Sequence, residues 1–180
     1  MFDDSDMKIV GSKPSESIKN NNLVSNDDLT PQEIKAAKEL GIIIAEKFLS
    51  ESDAITPSDT DDSQMLLQRK LLLSFTVSVS LDEYCKSDSI SGIAEKSFLD
   101  KIKSISPELY VSCSDTGAFS FYFLAYRRQD DVERRIGQTF AMLCSHDGDP
   151  IFQELGETLY CWFSSVVKAA TEKLNLNKYK

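Results

Sequence analysis

The chain carries a single histidine, His146, in the run Cys144-Ser-His-Asp-Gly-Asp149. An imidazole beside a carboxylate has the composition of a general base, so His146 and Asp147 are the first catalytic candidates. With Cys144 and Asp149 the same run offers metal-ligand side chains, but zinc sites gather about four ligands at one point. Neighbouring side chains on a turn splay outward instead. The run reads more simply as a turn between two helices, with Gly148 supplying the bend and Asp149 capping the next helix. A Cys144–His146 nucleophile pair meets the same objection, although Cys85, Cys113 or Cys161 could still approach His146 in space. There is no Gly-x-Ser-x-Gly elbow, no Gly-x-x-x-x-Gly-Lys-Ser/Thr loop and no Gly-x-Gly-x-x-Gly fingerprint. One histidine also excludes phosphohydrolases built on several His and Asp ligands.

The acidic residues form two further candidates. Asp130-Asp131-x-Glu133 resembles the Asp-rich magnesium motif of helical terpene synthases, but the second metal motif and the length of that family are absent. Helix capping accounts for these residues. Glu154-Leu-Gly-Glu157-x-Leu-Tyr160 resembles the second metal motif of MazG-like nucleotide pyrophosphohydrolases, over roughly residues 132–176. That resemblance implies four carboxylates holding magnesium against a triphosphate, two of them from a Glu-x-x-Glu pair on the preceding helix. The corresponding positions here are Arg135 and Gln138, so Glu154 and Glu157 are left without their partners. They are expected on a solvated face, and no cofactor is expected.

The elements that position these residues are mostly helical by pattern. Residues 1–28 are rich in Ser, Asn, Asp and Lys without apolar period, and are expected to be a disordered tail. Residues 29–176 are expected to form a helical domain, with a frayed end at 177–180. Thr30-Pro31-Gln32-Glu33 reads as a capping box opening a helix to about Ser50, with Ala37, Gly41, Ile44 and Phe48 inward. An acidic loop follows over 51–62. Residues 63–86 read two ways: as one helical face through Leu66, Leu73, Val77, Leu81 and Tyr84, or as a strand in which Leu73, Phe75, Val77, Val79 and Leu81 alternate with Ser and Thr. Length and the absence of Gly or Pro favour the helix.

Gly92–Ile105 reads as another helix, and Pro107 begins a short one. Ser114-Asp115-Thr116-Gly117 is either a hairpin turn or a break between helices, and the helical reading is preferred. The aromatic run Phe119, Phe121, Tyr122, Phe123 and Tyr126 is expected in the core, with the lining of a ligand pocket as the alternative. Asp130 or Asp131 should cap a helix with Val132, Ile136, Phe140 and Leu143 inward. Asp149-Pro150 should open the last one, whose stripe runs Ile151, Leu155, Leu159, Trp162, Val166, Ala170 and Leu174, widened by Phe152, Phe163 and Val167. Gly137, Ala141, Cys144 and Gly156 would let these two helices approach closely as an antiparallel pair. The fold class expected is all-α, a compact bundle of five to seven helices around a central C-terminal helix. The alternative is α+β, with a small antiparallel sheet from 73–81, 109–113 and 118–124.

Composition narrows the partners. The chain is 41% hydrophobic and 27% charged, ordinary for a globular domain, with a net charge of −9 and a pI near 4.7. Such a chain repels phosphate backbones and anionic membranes, and its densest basic run, Arg127-Arg128 with Arg134-Arg135, is interleaved with acids. Neither nucleic acid nor membrane is expected as a partner. No apolar run reaches the roughly 18 residues of a membrane span. The acidic N-terminal residues lack a signal-peptide h-region, and the four cysteines have no C-x-x-C spacing, so reduced thiols and a cytoplasmic location are expected.

Ser106-Pro-Glu-Leu-Tyr110, Asp115-Thr-Gly-Ala-Phe-Ser-Phe-Tyr-Phe-Leu124 and Ile136-Gly-Gln-Thr-Phe-Ala-Met-Leu-Cys144 together resemble a family of short helical proteins from Clostridia-type bacteria, over roughly residues 65–173. That resemblance implies a helical fold and a bacterial origin, and it carries no activity or site residues. The reading that follows is a non-catalytic helical domain that binds a protein partner or a second copy of itself. The alternative is a small-molecule-binding domain or a divergent MazG-like hydrolase using Glu154 and Glu157, with Asp147 and Asp149 nearby.

Overall fold

In the computed structural model, α1 (Pro31–Asp53) starts where the capping residues put it. The Thr30 amide donates to Glu33 Oε2 at 2.9 Å, and the Glu33 amide donates back to Thr30 Oγ1 at 3.2 Å, a reciprocal capping box. The structure describes residues 29–53, 63–113, 116–128 and 130–178. The tail expected at 1–28, most of the acidic loop, and Asp115 as a helix cap fall outside those residues.

Seven helices follow one another in the described residues: α1, α2 (Ser63–Tyr84), α3 (Asp88–Ile105), α4 (Pro107–Cys113), α5 (Thr116–Tyr126), α6 (Val132–Leu143) and α7 (Pro150–Lys173). No strand occurs among them. One isolated antiparallel bridge sets Cys85 opposite Asn177. The all-α reading holds, and among the described residues the small sheet is absent from all three segments that would have formed it.

The strand-like alternation of 73–81 belongs to a helix buried on nearly every side. From Leu71 to Leu81 every residue except Ser78 is buried, the serines and Thr76 included. A helix apolar all round sits at the centre of its domain, and α2 indeed touches each of the other six. Its hydroxyls are accommodated by hydrogen bonds. Thr76 Oγ1 donates to Leu72 O at 2.8 Å, and Ser80 Oγ donates to Ser164 Oγ on α7 at 3.1 Å. Phe75 is the aromatic hub, with the rings of Phe119, Tyr122, Phe123 and Tyr126 at centroid distances of 5.1–6.3 Å.

Glycines set the two tightest helix contacts. A Cβ on Gly41 would lie 2.2 Å from the Ala94 carbonyl oxygen, so α1 and α3 touch backbone to backbone. A Cβ on Gly137 would lie 2.3 Å from the Gln153 carbonyl oxygen, and one on Gly156 2.6 Å from Phe140 Cβ. The antiparallel α6–α7 pair is therefore held as close as its small residues permit.

Four expectations need correction. Helix α3 begins at Asp88, not Gly92, because Ser87 Oγ accepts from the Ile90 amide; the apolar period that marks the helix starts only at Ile90. Asp131 holds the N-cap position of α6 but in a left-handed conformation, φ 55°, with no side-chain cap bond. Its carboxylate turns instead to Arg134 at 3.5 Å, while the Asp130 carbonyl accepts from Arg135 Nε at 2.6 Å. The buried face of α7 runs Gly156, Leu159, Tyr160, Phe163, Ser164, Val167 and Thr171, rotated from the expected stripe, and Ile151 and Leu155 are exposed. Ser164 and Thr171 could join that face because each has a hydroxyl partner, Ser80 and the Val167 carbonyl. Asn177 and Lys178, expected at a frayed end, are tied to the end of α2. Lys178 N donates to Tyr84 O and Lys178 Nζ to Asp82 O.

Candidate functional site

The Cys144–Asp149 run is a helix terminus followed by a helix start. The His146 amide donates to Ala141 O at 2.8 Å and the Ser145 amide to Met142 O at 3.0 Å, with Ser145 left-handed at φ 63°. These paired bonds form a Schellman cap, which satisfies carbonyls the helix leaves open. Thus Ser145, as well as Gly148, makes the bend that the sequence assigned to the glycine alone. Asp149 Oδ1 accepts from the Ile151 amide at 2.9 Å and Pro150 takes the first helical position, so α7 opens as its sequence indicated. The imidazole of His146 is half-buried and lies flat on Phe152, centroids 3.7 Å apart and planes 9° from parallel. It is held as a packing ring. Asp147 is exposed, and Cys144 is buried at the end of α6.

Glu154 and Glu157 are both exposed on the first turns of α7. Gly156, between them, faces Phe140 and turns that stretch of helix inward, leaving the carboxylates outside. Among the described residues no three His, Cys, Asp or Glu side chains gather where they could hold a metal ion. Cys85, Cys113 and Cys144 are buried, Cys161 is exposed, and none is in a disulfide. Burial pushes the Cys85 thiol up to about 11, with Asp82 adding to the effect, and burial also raises Cys113 and Cys161. For the buried Cys85 and Cys113 these are the surroundings of unreactive thiols, whereas Cys161 stays accessible.

The chemistry-bearing residues thus do not converge, and the feature that stands out is a surface. Helix α5 reads TGAFSFYFLAY, apolar along its length, yet it lies at the edge of the bundle against α6 and α2. Tyr122 and Ala125 are buried, whereas Phe121 (48% exposed), Phe123 (38%, one edge against Phe75) and Leu124 (62%) are open to solvent, and Met142 of α6 (41%) extends the patch. The aromatic run therefore divides between core and surface, where the sequence placed it wholly in the core.

Two hollows open along this face. One, of about 270 Å³, lies between α5 and α6 and takes in Phe121, Leu124, Met142, Arg128, Arg135 and Asp147. The other, of about 390 Å³, is formed by Ser120, Phe123, Leu124 and Arg127. Leu124 is the ridge between them. Three of the chain's five arginines line the hollows. Arg135 is engaged by Asp130, at 3.8 Å, but Arg127 and Arg128 have no ion-pair partner among the described residues. The cancellation of charge that the sequence implied is thus incomplete, and a positive rim is left on a chain of net charge −9. The face escaped the sequence reading because α5 is apolar at every turn, so no polar stripe marks its outer side. The available signal was an all-apolar helix of only 11 residues running straight into two arginines.

No described helix is long and apolar enough to cross a membrane. Compared with known proteins, the chain matches no family model, no curated protein and no solved structure.

Proposed function

We propose that this chain is a non-catalytic helical interaction domain, and that its α5–α6 face docks an acidic, apolar-faced helical segment of a protein partner. The observation that carries the reading is the uncovered outer side of α5. A helix apolar all round belongs in an interior, and contiguous apolar surface rimmed by charge marks an interaction site. An amphipathic helix laid along the face would place apolar side chains at helical spacing over Phe121, Leu124 and Met142. Its acidic flank would meet Arg127 and Arg128. Each apolar side chain fully covered contributes about 1.5–3 kcal/mol. The arginine rim mainly sets orientation and association rate.

The test is photocrosslinking in the native cell with a benzophenone side chain at position 124, and at exposed Asp100 on α3 as control. The expected result is one adduct, formed from position 124 only, whose crosslinked peptide is acidic and apolar on one helical face. An adduct with a second copy of this chain would overturn the choice of partner in favour of self-association. No adduct, or equal adducts from both positions, would overturn the face itself.

A further inference from the structure

On another side of α5 and α6 lies a crevice of about 270 Å³ lined by Glu83, Tyr126, Val132, Glu133 and Tyr160. It shares no lining residue with the hollows of the docking face. Tyr160 is 6% exposed, and its hydroxyl has no hydrogen-bond partner among the described residues. The Tyr126 hydroxyl, half-buried beside it, has none either. The Tyr160 ring is buried while its oxygen keeps solvent contact at the crevice, so that oxygen is open to a donor from outside. Two tyrosines and two exposed glutamates thus line one space, and the neighbouring Tyr84 has its own hydroxyl already engaged by Ser164 at 3.1 Å.

The electrostatics of this space have one sign. Burial raises the Tyr160 phenol, and Tyr126, Glu83, Glu133 and Tyr84 raise it further. Burial likewise raises Tyr126, followed by Glu83, Tyr84 and Asp82. No basic group offsets either one. The chain's own Lys168 ammonium stands over the neighbouring Tyr84 ring, 5.8 Å from its centroid. The edge of this aromatic group already attracts an ammonium.

We propose that the crevice binds an alkyl ammonium or guanidinium group, its aliphatic stem against Val132 and the tyrosine rings and its N–H donors directed at the Tyr160 and Tyr126 hydroxyls and the Glu83 and Glu133 carboxylates. Ring faces attract a cation without regard to its protons. The phenol and carboxylate oxygens accept hydrogen bonds, and this selects a protonated amine or guanidine over a quaternary ammonium. The donor has two sources with the same chemistry: a free diamine, or a lysine or arginine side chain of another protein.

The test titrates the full chain, labelled at its tyrosine rings, with putrescine, agmatine, a capped lysine peptide and tetramethylammonium, read by NMR. The Tyr126 and Tyr160 ring signals are expected to shift saturably with putrescine or agmatine, with a Kd of about 1 mM or below. Tetramethylammonium is expected to bind at least about tenfold more weakly, as is putrescine to Tyr160→Phe, which removes only the hydroxyl. Glu83→Gln with Glu133→Gln is expected to weaken binding similarly, with the helical circular dichroism of each variant unchanged. The tighter of putrescine and the lysine peptide identifies the source, and either order supports the site. Absence of saturable shifts with all donors overturns the proposal. So does equal affinity for tetramethylammonium, or wild-type affinity in the folded variants.

Discussion

Ser80 donates its hydroxyl to Ser164 across the α2–α7 contact, at 3.1 Å, and Tyr84 reaches the same oxygen at 3.1 Å. Both serines are buried. The three hydroxyls satisfy one another in the middle of the bundle, and they allow a helix spelled in alternating serine and apolar residues to be central. Ser164→Ala leaves Ser80 and Tyr84 without their shared partner and is expected to cost about 1–3 kcal/mol. In a urea double-mutant cycle, Ser80→Ala with Ser164→Ala should cost less than the two single changes added, by about 0.5 kcal/mol or more. Strict additivity would mean that the bond contributes nothing.

Gly41 and Gly92 lie on opposite sides of the same question. A Cβ at Gly41 collides with the Ala94 carbonyl, which belongs to the backbone of α3 and cannot swing away. Gly41→Ala is expected to destabilise by about 3 kcal/mol, at the upper end of overpacking costs. Gly92 lies inside α3 with open space around it. There alanine is expected to stabilise by about 0.5–1 kcal/mol, the ordinary gain of a helix interior. Thermal melts of the two variants should move in opposite directions.

The cysteines should differ sharply in access. At pH 8 iodoacetamide is expected to modify Cys161, the exposed thiol, and leave Cys85, Cys113 and Cys144 intact until denaturant is added. Mass spectrometry of the digested adducts reads this directly. Modification of Cys85 in the native state would contradict its burial beneath the Asn177 bridge.

Glu33 links the start of α1 to the α2–α3 turn. Its carboxylate accepts from Lys86 Nζ, from the Thr30 amide and from the Thr30 hydroxyl, and these bonds, Lys86 first, hold it down at about 2 from an ordinary 4.5. A group lowered on folding binds its proton more readily when unfolded. Its contribution is complete above pH 4.5 and is lost as the pH falls toward 2. Glu33→Gln should therefore lose more stability at about pH 6 than at about pH 2.5, and the gap should narrow in high salt because the site is exposed. A constant difference across that range would remove Glu33 from the acid response.

The helix starts legible in the sequence were those whose caps are local: Thr30 with Glu33, and Asp149 with Pro150. Their bonds span two or three residues, so the sequence contains the whole interaction. The α6–α7 approach was also legible, since glycine weakens a helix interior and is tolerated at 137 and 156 where a neighbouring helix occupies the space of a side chain. The start of α3 was not, although Ser87 caps it locally, because its apolar period begins only at Ile90, and the inner face of α7 was not, because it depends on a partner on α2. Ser164 looks solvent-facing until Ser80 is placed beside it, while Thr171 turns its hydroxyl back to the Val167 carbonyl of its own helix. The docking face was hidden for a related reason: whether Leu124 is covered depends on where the bundle ends, and α5 looks equally apolar from either side. The tyrosine crevice joins residues from α2, α5, α6 and α7 that no spacing relates.

The α5–α6 face can be examined most directly with a synthetic helical peptide bearing leucine on one side and glutamate on the other, followed by amide NMR of the full chain. Saturable shifts are expected at Phe121, Leu124, Arg128 and Met142. They should be lost in Leu124→Glu, and in Arg127→Glu with Arg128→Glu they should return when the peptide's glutamates are replaced by lysines. Shifts scattered over other helices, or binding indifferent to both sets of substitutions, would contradict a docking face on α5 and α6.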